Sequence, residues 1–281
     1  MPLNTCSLNI KGKLISLENP VVMGILNITP DSFFDGGKYE LEKAIVERCE
    51  KIIEEGAEII DVGAYSSRPG AVDVSEDEEL KRLNNALALI RSRFPDAILS
   101  VDTFRANVSE RVVNDFNVDI INDISGGLMD DRMFKTIGKL GVPYILMHMQ
   151  GTPQNMQLNP VYNDLIGDIS LFFASQLKKL RFFGAKDIIL DLGFGFGKTI
   201  EHNYQLLNEI KQFDVFDLPM LVGISRKSMI YKVLDVDPQA ALNGTTALNT
   251  VALLNGANIL RVHDVKEAVE CINLVRQLTK A

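Results

Sequence analysis

The residues of this 281-residue chain best suited to chemistry gather where short apolar runs end. Asp61 closes the run Glu58-Ile-Ile-Asp-Val, Asp102 closes Ile98-Leu-Ser-Val-Asp, and Asp191 closes Asp187-Ile-Ile-Leu-Asp, while Asn122 follows Asp119-Ile-Ile. Basic groups follow two late runs, in Ser225-Arg226-Lys227-Ser228 and Arg261-Val262-His263. Carboxylates accept N–H groups from a nitrogen-rich ring and cations neutralise phosphate, so the set suits a flat polar ring bearing pyrophosphate. Each acid taken singly can equally cap the loop after it. Paired carboxylates also serve glycoside hydrolysis, but the sequence fixes neither their separation nor which acid is protonated.

Gly193-Phe-Gly-Phe-Gly-Lys-Thr199 resembles a phosphate loop, yet that pattern needs glycine at position 192, where this chain has Leu192. Its glycines still permit close backbone approach, and Phe194 or Phe196 is placed to wall a flat ligand. His148 and His202 share no metal-ligand spacing with another His or Cys, so structural hydrogen bonding is expected of both. Met147, beside His148, offers a soft apolar contact to a ring.

These groups need a scaffold that brings strand ends together. Candidate strands begin near Val21, Glu58, Ala97, Asp119, Tyr144, Asp187, Met220 and Asn258, and most are nearly continuous Val, Ile, Leu and Met. Parallel strands buried on both faces read this way. Helical stripes fall between them, as at Ile45, Cys49, Ile52 and Ile53, or Leu80, Leu83, Leu87 and Ile90. Gly56 and Gly184 stand where helices must stop, and Ser75 to Glu78 has the form of a capping box. The expected fold is α/β, a (β/α)8 TIM barrel over residues 1–281, with a short N-terminal β-hairpin at 8–18 covering the end away from the active loops. An open doubly wound sheet is the alternative; no Gly-rich first turn supports it.

Composition sets outer limits. A formal net charge of −8 disfavours nonspecific attachment to nucleic acid or an acidic membrane, although a local basic pocket can still hold phosphate. The short apolar runs and the start of the chain lack a membrane span or signal peptide, which leads to the expectation of a cytoplasmic protein. Cys6, Cys49 and Cys271 form neither a disulfide framework nor a metal site, and Cys49 and Cys271 read as core.

Taken in order, MGILNITPDSFFDGG from Met23, SSRPG from Ser66, SVDT from Ser100, INDISGG from Ile121, LMHMQG from Leu146, DLGFGFGK from Asp191, GISRKS from Gly223 and RVHD from Arg261 resemble the dihydropteroate synthase family. The likeness runs nearly the whole length, from Met23 to His263. It implies a barrel that joins a pterin alcohol pyrophosphate to p-aminobenzoate with Mg2+, as a homodimer. The resemblance implies that Asp102, Asn122, Asp191 and Lys227 surround the polar edge of the pterin, with Met147, Phe196 and Arg261 on its faces. It makes Asn27 the magnesium-associated residue and Arg68, Arg261 and His263 the pyrophosphate contacts. Ser66, Ser67, Arg68 and Pro69, with Phe33, Lys227 and Ser228, fall on the aminobenzoate side. Thr29, Asp61 and Gly223 complete the substrate-binding set, and Asn27, Asp102, Asp191, Lys227, Arg261 and His263 form the catalytic set.

The chain departs from the family pattern in two places. Ala64 and Tyr65 stand where the family has a small residue and an acid, which is expected to alter closure of the second loop. Leu192 replaces a φ-fixing proline and is expected to loosen the strand-six loop. A pterin-dependent methyltransferase domain and a noncatalytic folate-pathway scaffold are the rival readings. The pairing of SSRP with the Ser225 to Lys227 cluster suits pyrophosphate and an aromatic acid better than methyl transfer.

Overall fold

The structure is a computed structural model that describes residues 6–28, 38–65, 74–156 and 160–280. Eight parallel strands close into a barrel: β3 (Val21–Asn27), β4 (Ile59–Gly63), β5 (Ile98–Asp102), β6 (Ile120–Asp123), β7 (Tyr144–Met147), β8 (Ile188–Asp191), β9 (Met220–Val222) and β10 (Ile259–Val262). Closure comes from β10, which pairs with both β9 and β3. Helices α1 (Lys38–Glu54), α2 (Glu76–Arg93), α3 (Ala106–Phe116), α4 (Met133–Leu140), α5 (Leu165–Phe182) and α6 (Ile200–Asn208) follow the first six barrel strands in turn. Two helices, α7 (Ser228–Leu234) and α8 (Leu242–Leu254), follow β9, and α9 (Val265–Leu278) ends the series.

Successive strand residues face opposite sides, so the apolar runs divide into two cores. Val22, Leu26, Ile60, Val62, Leu99, Val101, Leu146 and Leu190 pack outward against the helices. Met23, Ile59, Ile120, Ile145, Ile189, Leu221 and Ile259 fill the lower barrel interior. Below them lies the expected hairpin, β1 (Ser7–Ile10) and β2 (Lys13–Ser16), whose Leu8 and Ile10 join the interior cluster with Leu17. Its turn puts Lys11 at φ 51° and Gly12 at φ 83°, the positive pair that a two-residue hairpin with right-handed strand twist requires. Lys11 Nζ then reaches Asp119 Oδ1 at 2.6 Å and fastens the cover to the barrel floor.

Five strands start one residue later than expected, after Glu58, Ala97, Asp119, Asp187 and Asn258, and the four polar residues among these have a physical role there. Glu58 accepts the Val22 N–H at 2.8 Å, Asp119 accepts that of Leu99 at 2.9 Å, Asp187 accepts that of Asn9 at 2.9 Å, and Asn258 accepts that of Met220 at 2.9 Å. They complete backbone hydrogen bonding at the lower rim. Gly56 and Gly184 end α1 and α5 at φ 95° each, as their positions implied. The capping box is half realised: Ser75 Oγ accepts the Glu78 N–H at 3.3 Å, while the Glu78 carboxylate turns to Arg82 at 2.8 Å. Cys49 and Cys271 are buried, as expected, and among the described residues no helix is long and apolar enough to cross a membrane.

Candidate active site

Toward the upper end of the barrel the inward positions change from apolar to polar. The strand register aligns Asp61 with Ser100, and Asn27, Gly63, Asp102 and Asn122 with one another across β3 to β6. Asp191 is aligned with Met147 across β7 and β8. Because the barrel fixes this register, the sequence-distant acids meet in one layer above the Ile and Met floor.

Arg261 holds that layer together. Its Nε donates to Asp61 Oδ2 at 2.7 Å and its Nη2 to Asp102 Oδ2 at 3.0 Å, while Asn122 Nδ2 donates to the same Asp61 oxygen at 3.2 Å. Asp61 is fully buried and Arg261 largely so, which makes their separation unfavourable; breaking such a pair typically costs about 3–5 kcal/mol. Burial raises the Asp102 carboxyl well above the carboxylate range, with Arg261 opposing the shift and the Asp61 charge adding to it. Burial likewise raises Asp191, against the pull of Lys227. Among the described residues, the buried oxygens Asp61 Oδ1, Ser100 Oγ and Asn122 Oδ1 have no hydrogen-bond partner. Unpaired buried acceptors of this kind carry a desolvation cost that a ligand N–H relieves.

A second wall comes from the loops after β8 and β9. Lys227 Nζ donates to the Phe194 carbonyl at 2.6 Å and lies 4.8 Å from the centre of the Phe196 ring. Burial lowers Lys227 to about 8, opposed by Asp191, so it carries its charge at neutral pH. Phe196 joins Met147, Met149, Met156, Phe104, Ile124 and Tyr65 in an apolar cluster at this end of the barrel, whereas Phe194 is buried in the outer core. The aromatic wall therefore falls to Phe196. Gly223 borders Arg261: a Cβ there would stand in ordinary contact with the Arg261 Cβ, at 3.7 Å.

His263 and Asn27 occupy the rim. His263 Nδ1 lies 3.2 Å from Ser225 Oγ, and burial beside Arg261 lowers the imidazole to about 4, so at neutral pH it is an uncharged hydrogen-bonding group. Asn27 Oδ1 lies next to Gly63, 3.3 Å from where a Cβ of that residue would stand, on the side where Asp102 also packs. Ser228 is the first residue of α7, directly after Lys227. Arg226, at φ 56°, turns from Lys227 to make a two-point pair with Asp264 at 2.9 and 2.6 Å. Thr29, Phe33, Ser66, Ser67, Arg68 and Pro69 lie outside the described residues.

Both departures from the family pattern have structural counterparts. Tyr65 meets Phe104 edge to face at 5.1 Å, with the Arg105 guanidinium 5.7 Å from the Tyr65 ring and Gln154 donating to its hydroxyl at 3.2 Å. The base of the second loop is thus held by aromatic and cation–π contacts where the family pattern has an acid. Leu192 is buried in the outer core, and the loop after it is tied down by Lys198, which sequence reasoning left unassigned. Lys198 Nζ contacts His148 Nδ1 at 2.9 Å, and His202 caps α6 with Thr199, so both histidines have the structural roles expected.

The fold and the polar layer define a barrel enzyme that binds a ring at its C-terminal face. Residues 23–263 match the family described as Pterin binding enzyme. The dihydropteroate synthase of Escherichia coli K12 is 43% identical over 273 residues, covering 96% of each chain. A Yersinia pestis dihydropteroate synthase solved with a sulfonamide drug complex is 42% identical, with a TM-score of 0.91 over 98% of this chain and 100% of that one. The Xanthomonas albilineans enzyme solved with 4-aminobenzoic acid is 32% identical, with a TM-score of 0.91 over 99% of both. The chain belongs to the dihydropteroate synthase family.

The depressed His263 gives a pH prediction. Between its unfolded value of about 6.5 and its folded value of about 4, the unfolded chain binds a proton that the folded chain does not, so this group's contribution falls as pH drops. The raised Asp102 and Asp191 act in the opposite sense, which makes a difference measurement necessary. The stability gap between wild type and His263→Asn should narrow by ~2 kcal/mol from pH 7.5 to 4.5 in urea denaturation. An unchanged gap would mean that His263 is not held neutral.

Proposed function

We propose that this chain condenses 6-hydroxymethyl-7,8-dihydropterin pyrophosphate with p-aminobenzoate, giving 7,8-dihydropteroate and pyrophosphate, at the upper end of its barrel. The observation that carries the reading is the buried polar layer: acceptors on Asp61 and Asn122 without partners among the described residues, beside Asp102 and Asp191. Ring N–H and amino groups are the complementary donors. Arg261 supplies a planar cation for one ring face, and Met147 and Phe196 supply apolar contact.

The reaction needs no side-chain nucleophile. The aromatic amine attacks the exocyclic methylene carbon, a C–N bond forms as the C–O bond to pyrophosphate breaks, and the amine proton leaves to solvent or to the departing phosphate. Asp102, Asn122 and Asp191 hold the ring so that this carbon faces the amine, a contribution of orientation. Asp102 and Asp191, as carboxylates, also favour the electron-poor ring as positive character develops. Lys227 stands where ring and aminobenzoate meet, and Ser66, Ser67, Arg68, Pro69, Phe33, Thr29 and Ser228 complete the aminobenzoate and loop side of the reading. Arg261 and neutral His263 receive the leaving group.

Mg2+ belongs to the same proposal, with Asn27 as its protein donor; when bound it neutralises charge on the departing pyrophosphate. The Asn27 carboxamide oxygen at the rim suits a hard cation that keeps waters and substrate phosphates as most of its ligands. A cytoplasmic location and a homodimer complete the reading. Val251 and Leu254 expose apolar surface on α8 as a pairing face.

Purified protein given both substrates and Mg2+ should release pyrophosphate only when p-aminobenzoate is present, and chelation by EDTA should suppress release. Asp102→Asn and Asp191→Asn should each lower kcat/KM by about ten- to a few hundredfold, the loss of a charge-assisted hydrogen bond of ~1.5–3 kcal/mol. Pterin binding without amine-dependent release would instead favour a noncatalytic scaffold, and full activity in both variants would refute the ring network. Sedimentation at several concentrations should show a dimer; a monomer throughout would remove that part of the reading.

A further inference from the structure

Lys198 is an ionisable residue buried in the scaffold of the site with no role in the chemistry above. Only 3% of it is exposed, and its Nζ meets three acceptors: His148 Nδ1 at 2.9 Å, the Gly193 carbonyl at 3.0 Å and the Phe196 carbonyl at 3.2 Å. Three acceptors match the three N–H bonds of an ammonium. The bond to His148 requires an unprotonated Nδ1, and burial holds that imidazole down at about 2, so His148 is neutral and accepts.

The loop that Lys198 grips is packed too closely to hold its shape by chance. Gly193, Gly195 and Gly197 all have positive φ, at 67°, 81° and 61°. A Cβ on Gly193 would overlap the His148 carbonyl, and one on Gly197 would come within 2.5 Å of the Gln150 carbonyl. The loop after β8 is thus pressed onto the loop after β7, with Tyr162 donating to the Gly197 carbonyl at 2.8 Å as a second fastening. The gripped segment joins two parts of the pocket: Gly193, whose N–H donates to Asp191 Oδ1 at 2.7 Å, and Phe196, whose ring faces Lys227. In place of a proline that would fix the backbone at position 192, this chain has Leu192, which packs in the outer core.

We propose that Lys198 is a positioning residue of the ring pocket: its buried ammonium clasps the two loops, sets the turn that carries Asp191 and Phe196, and gives Asp191 a further positive neighbour. The proposal rests on the pterin reading of the site. The charged groups facing Asp191 are Lys227 from the loop after β9, Arg261 from β10 and Lys198 itself, and Asp102 in turn faces Lys227. Burial drives Asp191 toward protonation and these three cations oppose it. Without Lys198 the Asp191 carboxyl rises further, and a protonated Asp191 loses an acceptor for ring N–H groups.

Lys198→Met tests this through steady-state kinetics from pH 5.5 to 9 and direct titration with 6-hydroxymethylpterin. The expected result is a KM for pterin pyrophosphate about tenfold higher near pH 6, where wild-type Lys198 carries its charge, with the KM for p-aminobenzoate changed less than about twofold. The acid limb of kcat/KM for the pterin substrate should move to higher pH. The alkaline limb does not discriminate, because burial lowers Lys198 to about 7 and Lys227 to about 8. Lys198→Gln, which keeps an N–H donor without charge, should show the same acid-limb shift with a smaller loss of thermal stability. Equal loss toward both substrates with an unmoved acid limb would overturn the proposal, as would two variants that both fail to fold, since Lys198 would then be a folding residue only. Wild-type protein that fails to bind 6-hydroxymethylpterin would refute the pterin reading itself, whereas wild-type binding with unchanged variants would refute the role of Lys198 alone.

Discussion

A guanidinium buried among carboxylates is the interaction on which this barrel's working end depends. Arg261 faces Asp61 and Asp102 within hydrogen-bonding distance in a layer where little water reaches. An isolated charge in such a place is strongly unfavourable, so the layer is tolerable only while every member keeps its partner. That condition forces the ends of β4, β5, β6 and β10 into one arrangement. The same arrangement leaves acceptors on Asp61 and Asn122 without donors among the described residues. Stability and recognition thus share one network, with the ring entering a site that is already charged and shaped.

The layers around the network serve this arrangement. The lower interior is Ile, Leu and Met closed by the hairpin, which excludes water from below and leaves loops free above. The upper loops are fastened by cations: Lys227 on the Phe194 carbonyl, Lys198 on Gly193 and Phe196, Arg226 on Asp264, and Arg48 on the backbone carbonyl of His263 at 2.7 Å. Backbone carbonyls at strand ends lack sheet partners, and long cationic side chains satisfy them while adding positive potential near a site read as binding pyrophosphate. A net charge of −8 for the chain is therefore no guide to the potential at this end of the barrel.

The barrel was legible because parallel strands buried on both faces leave continuous apolar runs, and Asp61, Asp102, Asn122 and Asp191 stood out as polar residues at their ends. Four of the five displaced strand starts fall at Glu58, Asp119, Asp187 and Asn258, which adjoin the apolar runs in sequence but act in the fold as acceptors for neighbouring N–H groups. Lys198 escaped notice because a lysine after a glycine-rich run reads as an exposed or phosphate-binding group, and burial depends on loops that meet only in three dimensions. Tyr65 was visible as a departure, but its contacts with Phe104 and Arg105 depend on the neighbouring strand end. Asp61 reads as a ligand contact from its position; in the fold its side chain also accepts hydrogen bonds from two other site residues, Arg261 and Asn122.

The central claim, that Arg261 and Asp61 act as a single buried unit, is tested most directly by a double-mutant cycle of folding stability. Asp61→Asn, Arg261→Met and the double variant would be compared with wild type by urea denaturation at pH 7. Each single variant leaves a buried partner short of its counter-charge, whereas the double variant removes both charges. The account predicts that the double variant loses less stability than the sum of the singles, with a coupling energy of about 1–3 kcal/mol. Additive losses, with coupling near zero, would contradict it.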